Sequence, residues 1–288
     1  MRRLAVLLIA GVAVMCAQEK IRVIAFGAHP DDCDIRAGGA GAKWAAMGHA
    51  VKFVSVTNGD AGHQSEGGGA LARRRRAEAI EAGKRFGIAE YEVLDNHDGE
   101  LLPTLKVREE IIRRIRQWNA DLVLAPRPND YHPDHRYTGV LIQDAAYMVV
   151  VPNICPDTPP LRKNPVFMYF QDGFQKPAPF QPDIAVDIGD VIEKKVDALD
   201  AHTSQMYEWL PWVAGALDRV PKDPAERRKW LGSTRGGGRL TPAVRAALVK
   251  WYGAARAKEI QHAEAFELCE YGRRPDEAGL RQLFPMVK

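Results

Sequence analysis

The feature that most constrains this chain is the alternation of short β-branched runs with helix-patterned segments. Ile21–Gly27 (IRVIAFG), Val51–Val56 (VKFVSV), Tyr91–Leu94 and Leu122–Ala125 have strand length and composition. Between them lie Gly38–Gly48, alanine-rich with Trp44 and Met47 at helical spacing, then Leu71–Gly87, rich in Ala, Arg and Glu, and then Val107–Trp118. Strands separated by helices imply βαβ units and a parallel sheet rather than hairpins. The expected architecture is α/β, a mostly parallel sheet flanked by helices.

Further along, a helix is expected from Arg136 to Val151, ended by Pro152, and a proline-rich loop from Asn153 to Pro165. Val166–Phe170 and Ile184–Ile188 read as later strands, and Val191–Gln205 as an amphipathic helix. The pattern changes beyond Tyr207: tryptophans and a proline, a charged stretch, Gly236–Gly238, and then Arg239–Leu268, which reads as a closing helical region. No internal repeat is evident. The chain divides into residues 1–17, a core over 18–205, and a C-terminal helical extension over 206–288, of which Tyr207–Arg239 is placed to cover a pocket.

Residues 1–17 read as an export leader. Arg2 and Arg3 precede the apolar run Leu4–Ala17, and polar sequence starts at Gln18. That run falls short of the roughly 20 residues needed to span a bilayer, so the reading is an exported protein, periplasmic or secreted, with no transmembrane span. Lipid anchoring through Cys16 is disfavoured because Met15 is bulky where a small residue is usual. Forty basic against 37 acidic residues leave a formal charge of +3, which gives no nucleic-acid footprint. Arg73–Arg76 does not alter this, because four consecutive helical residues point around most of the circumference. Of the four cysteines no two form a CxxC pair, so a thiolate metal site is not indicated. Cys155 and Cys269 are open to pairing, although burial as small apolar residues is the commoner fate. The first strand is not followed by GxGxxG, and Gly67–Gly69 lacks the remainder of a phosphate loop. A flexible lid is the alternative use of those glycines.

Two segments carry chemistry. His29-Pro30-Asp31-Asp32-Cys33-Asp34 follows the first strand, and Asp130-Tyr131-His132-Pro133-Asp134-His135 follows the fourth. Both lie beyond carboxyl ends of strands, where open α/β sheets bind ligands at a reversal of strand order. Zinc takes imidazole nitrogen and carboxylate oxygen, and a catalytic site pairs three protein ligands with an open position. His29, Asp32 and His135 fill that count for one Zn²⁺ per chain. Asp31 remains as a general base, and His132 as an oxyanion stabiliser and acid. Asp134 is placed to orient a histidine.

These segments resemble the PIG-L/LmbE-like zinc N-deacetylases, whose motifs read AHPDD-x-E and HPDH. Asp34 stands here at the usual Glu position. Arg75 and Glu78 resemble the family's R-x-x-E helix, Leu94–Gly99 its loop ending in Asp-Gly, and Ala201–Gln205 its H-x-S-Q segment. The likeness spans roughly Ile21 to Gln205. It implies a Rossmann-like sheet, the metal ligands and catalytic roles just named, and substrate contacts from Arg75, Asp98 and His202. The family tyrosine two residues before HPDH is replaced by Asp130, with Tyr131 next to it.

The resemblance implies a hydrolase that frees the amine of an N-acetylglucosamine-type conjugate, its partner a small molecule or glycoconjugate. Another metal-dependent amide or ester hydrolase on the same scaffold is the alternative. A non-catalytic carbohydrate-binding protein would be expected to lack some of His29, Asp31, Asp32, His132 and His135, all of which are present. Homo-oligomerisation is left open. His63 and His97 read as exposed loop histidines, His49 and His262 as structural ones, and Trp209, Trp212, Trp230 and Trp251 as packing residues that could also stack on sugars.

Overall fold

A computed structural model describes residues 19–287; the expected leader and Cys16 lie outside the described residues. The chain begins β1 (Arg22–Gly27), α1 (Asp32–Ala46), β2 (Ala50–Thr57), α2 (Gly68–Phe86), β3 (Glu90–Asn96), α3 (Leu105–Trp118), β4 (Leu122–Ala125) and α4 (Pro133–Met148). It continues with β5 (Val166–Phe170), β6 (Ile184–Asp187), α5 (Ile192–Asp200), a π-helical turn at Ser204–Trp209, and short α6 (Leu210–Val213). Then come α7 (Pro224–Arg235), α8 (Pro242–Glu259), β7 (Ala263–Gly272) and α9 (Glu277–Leu283). No described helix is long and apolar enough to cross a membrane.

The seven strands form one sheet in the order β3-β2-β1-β4-β5-β7-β6. Pairing is parallel from β3 through β5, while β7 runs antiparallel to both β5 and β6. Alternate side chains feed two cores. Val23, Ala25 and Phe53 pack under α1, α2 and α5 with Trp44 and Phe86. Ile24, Phe26 and Val54 pack under α3 and α4 with Ile111, Ile115 and Leu141. The Rossmann-like α/β sheet is as expected.

Three boundaries differ from the expectations. The first helix opens at Asp32, not Gly38, because Asp32 and Asp34 give it an acidic first turn that suits the helix dipole. The fourth opens at Pro133, which is suited to a first helical position. The helical reading of Arg239–Leu268 ends at Glu259; residues 263–272 are β7, whose Ala263, Ala265 and Phe266 are buried in the sheet. The extension is thus helical in α7, α8 and α9 but also supplies a strand. Cys33, Cys155 and Cys269 are free and buried, so Cys155 and Cys269 are not paired.

Candidate active site

β1 and β4 are neighbours at the reversal of strand order, so the loops that leave their carboxyl ends meet. Two glycines allow the approach. A Cβ on Gly27 would stand 2.6 Å from the Asp32 Cβ, and one on Gly139 2.8 Å from the Pro126 carbonyl oxygen. In the first loop the Asp31 and Asp32 amides both donate to the His29 carbonyl, at 2.9 and 3.2 Å, and the His29 amide donates to Asp32 Oδ2 at 2.8 Å. That tight turn brings His29 and Asp32 to one side. In the second loop His132 caps α4, its Nδ1 accepting the Asp134 amide at 3.2 Å, and His135 follows one turn later.

His29, Asp32 and His135 converge. His29 Nδ1 is 3.1 Å from His135 Nε2 and 3.5 Å from Asp32 Oδ2, and His135 Nε2 is 3.4 Å from Asp32 Oδ2. Three ligands at tetrahedral angles around an ion, with bonds of about 2.0–2.1 Å, stand about 3.3–3.4 Å apart. The far side of each ring faces carboxylate. His29 Nε2 lies 3.0 Å from Asp98 Oδ1 and 3.4 Å from Asp134 Oδ2, and His135 Nδ1 lies 2.9 Å from Asp130 Oδ1. With the protons held on those outer nitrogens, the two inner nitrogens present lone pairs to each other and to a carboxylate oxygen. Such a set repels itself unless a cation lies between its members. The donors present therefore fit a divalent metal, and outer carboxylates of this kind fix the tautomer of ligating imidazoles.

Asp31 and His132 stand beside this set. A ring nitrogen of His132 lies within 4.8 Å of ring nitrogens of both His29 and His135. Burial, and then the neighbouring imidazoles of His29 and His135, hold the His132 pKa below its ordinary value. Burial raises the Asp31 carboxyl; Arg75, 3.3 Å away through Nη2, opposes that rise, and the negative Asp32 adds to it.

A protein described as diacetylchitobiose deacetylase, from Thermococcus kodakarensis, is 33% identical over 204 residues, which cover 66% of this chain and 73% of that one. The family described as PIG-L, GlcNAc-PI de-N-acetylase, matches residues 24–146. The chain belongs to the PIG-L/LmbE-like family. The structure of an N,N'-diacetylchitobiose deacetylase from Pyrococcus horikoshii is similar, with TM-score 0.64 and 26% identity, over 87% of this chain and 84% of that one. A 4-carboxy-2-hydroxymuconate hydratase from Pseudomonas putida shares the fold alone, with TM-score 0.63 and 22% identity over 89% of this chain and 99% of that one.

The PIG-L-like segments that lie far apart in the sequence meet behind the site. Asp34 takes bonds from Tyr91 Oη at 2.6 Å and His202 Nε2 at 3.0 Å. Glu78 takes bonds from the Ser204 amide and hydroxyl and from Thr203 Oγ1, while Gln205 Nε2 donates to the Gly62 carbonyl. Two expected substrate contacts are corrected here. His202 is completely buried against Asp34, so it cannot reach a ligand. Arg75 is 2% exposed and spans Asp31 and Asp98, so it positions carboxylates instead of meeting solvent. Asp98 is also buried, beside His29, and its carboxyl is held down to about 2: burial works against this, while His29 and Arg75 outweigh it.

His63 departs from its expected exposure. It is buried, and its Nε2 lies 2.8 Å from Glu208, which Arg74 also grips through two bonds. His97 is exposed as expected, although it pairs with Asp60 at 2.7 Å. The arginine run shows no single basic face: Arg74 binds Glu66 and Glu208, Arg75 lies under the site, and Arg76 donates to the Val93 carbonyl. Asp130 is the functional residue that sequence reasoning missed; its place five residues before His135 was the available signal.

Proposed function

We propose that this protein is a metal-dependent hydrolase that removes the acetyl group from an N-acetylglucosamine-type conjugate and leaves a free amine. The observation that carries the reading is the trio His29, Asp32 and His135 at metal-ligand separations, with Asp31 and His132 beside it. The relatives named as deacetylases of diacetylchitobiose support the sugar acetamide as substrate. A zinc ion, one per chain, is the cation that best suits two imidazoles and a carboxylate; when bound, such an ion lowers the pKa of a water towards about 7 and polarises a carbonyl.

This chain's own residues do the rest. Asp31, a buried carboxylate with a raised pKa, takes the proton from the attacking water. Because His132 Nδ1 accepts the Asp134 amide, its proton sits on Nε2, and that N–H donates to the oxygen that gains charge as the amide carbonyl becomes tetrahedral. Asp31 then returns its proton to the leaving nitrogen, the carbon–nitrogen bond breaks, and acetate and amine separate. Arg75 keeps Asp31 in place throughout. Trp209, stacked on half-exposed Trp212 at 5.3 Å between centroids, brings its indole to the flank of Gly62 that Asp98 also borders, a surface suited to a sugar face. Tyr207–Arg239 is proposed to cover the pocket, and the apolar segment before Gln18 supports an exported enzyme.

The test is acetate release by the zinc-loaded chain from a panel of N-acetylglucosamine conjugates, with Asp31→Asn in parallel. Release that depends on Asp31 supports the reading. No release from protein that holds stoichiometric zinc would overturn the sugar acetamide as substrate.

A further inference from the structure

A basic compartment adjoins the metal-ligand set. A cavity bordered by Asp32 and His135 is also lined by Arg36, Gln171 and Asp172. Those last three residues are shared with a groove that continues to Arg235 and Arg239, at the end of α7 and beyond it. Arg36 lies one turn after Asp32 on α1, so both side chains leave the same side of that helix. The nearby carboxylates are already matched. Asp172 takes two bonds from Arg127, at 2.6 and 2.7 Å. Glu264 takes Lys195 at 2.7 Å and the amides of Gly39 and Ala40.

The three arginines are not matched. Among the described residues none of Arg36, Arg235 and Arg239 has a carboxylate oxygen within 4.0 Å. Among the described residues the one hydrogen bond from an Arg36 side-chain nitrogen goes to the Gln171 carbonyl, at 3.0 Å. Arg235 is partly buried; burial lowers its pKa, Asp31 opposes this, and Arg36 adds to it, which places Arg235 within reach of the catalytic carboxylate's field. Arg36 and Arg239 are exposed and Arg235 is partly buried, so the groove presents three guanidiniums that no carboxylate of the described residues pairs, and their planar forks suit carboxylate and phosphate oxygens. The two outer arginines also lie beyond residues 24–146, the part that the family match covers.

We propose that this groove binds an oxyanion, a carboxylate or a phosphate, carried on the amine side of the substrate, so that the preferred substrate is an anionic N-acetyl sugar. The inference rests on the hydrolase reading above and adds to it the charge of the substrate.

The experiment measures binding apart from turnover, using the product amines. Glucosamine, glucosamine 6-phosphate and muramic acid are titrated calorimetrically into the zinc-loaded wild type, Arg239→Gln, and the double variant Arg235→Gln/Arg239→Gln, each shown by a thermal melt to be folded. At least one of the two anionic amines is expected to bind about tenfold tighter than glucosamine to the wild type, as a charge-assisted pair allows. The advantage is expected to shrink in Arg239→Gln and to fall below about threefold in the double variant. The phosphate and carboxylate arms tell which oxyanion fits. Equal binding of all three amines overturns the proposal. So does an advantage that the double variant keeps, which would place the anion away from Arg235 and Arg239. Acetate release from N-acetylglucosamine, N-acetylglucosamine 6-phosphate and N-acetylmuramic acid is measured on the same samples: release without an anion advantage sinks the groove alone, and an anion advantage without release from any of the three sinks the hydrolase reading alone.

Discussion

Asp31 and Asp130 are both carboxylates near one trio of ligands, yet their replacement should do different things. Asp31→Asn removes the proton acceptor and leaves the ligands in place. We expect a fall of about 10²–10⁴ in kcat with zinc still bound, read from acetate release and metal content together. Asp130→Asn instead weakens the partner that holds His135 Nδ1, at 2.9 Å in the native chain. Zinc affinity should drop about 10–100-fold, read by competition with a chelator, and activity should recover in excess zinc. Unchanged affinity would mean that Asp130 does not orient His135. The sequence made the trio legible because histidine and aspartate at fixed spacing are chemically specific. It did not make Arg75 legible as a buried positioner: its neighbours Arg73 and Arg74 have the same side chain, and only the helix phase against Asp31 and Asp98 separates it from them.

At the scale of elements, α1, α2 and the π-helical turn are tied by buried polar pairs behind the site. His202 and Asp34 are both completely buried, and the His202 pKa is raised: burial opposes its charge, but Asp34 outweighs burial. A folded pKa above the unfolded value of about 6.5 means that folding takes up a proton, so the contribution is complete below that value and lost as pH rises through the folded pKa. The melting temperature of the wild type relative to His202→Gln should therefore shrink from pH 6 upward. A gap that widened with pH would contradict the charged pair. The same tie explains why helix starts were poorly legible. The small residues Ala37–Ala42 look like the heart of a helix, but α1 begins at Asp32, where the metal-site turn and the acidic first turn coincide. The buried position of His63 was not legible either, because Glu208, its partner, lies 145 residues away.

Across the whole molecule, the parallel part of the sheet was readable from its βαβ rhythm and β6 from its short apolar run, whereas β7 was not. β7 follows a long helix and has the sequence AEAFELCEYG, in which acidic residues interrupt the apolar ones. The interruptions have partners: Glu264 meets Lys195 and two amides of α1, and Glu267 Oε2 accepts the Gln181 amide. β7 is thus the central strand of the β5-β7-β6 group, its hydrogen-bonding edges taken on both sides. This makes the end of the chain part of the core rather than an appendage. Truncation after Glu259 would leave β5 and β6 with open edges facing an empty strand position, and by removing Phe266 and Cys269 it would uncover the apolar residues packed against them, Trp44 among them. It would also strand the buried Lys195 ammonium without Glu264, a loss that costs about 3–5 kcal/mol for a buried pair and is a large part of a domain's stability. We expect the truncated chain to be insoluble or to lack a cooperative thermal transition, whereas a chain starting at Gln18 and complete to Lys288 melts cooperatively. A cooperative melt from the truncated chain would show that β1 to β6 fold without β7, and Lys195→Met with Glu264→Gln would then test whether the ion pair matters to the sheet at all.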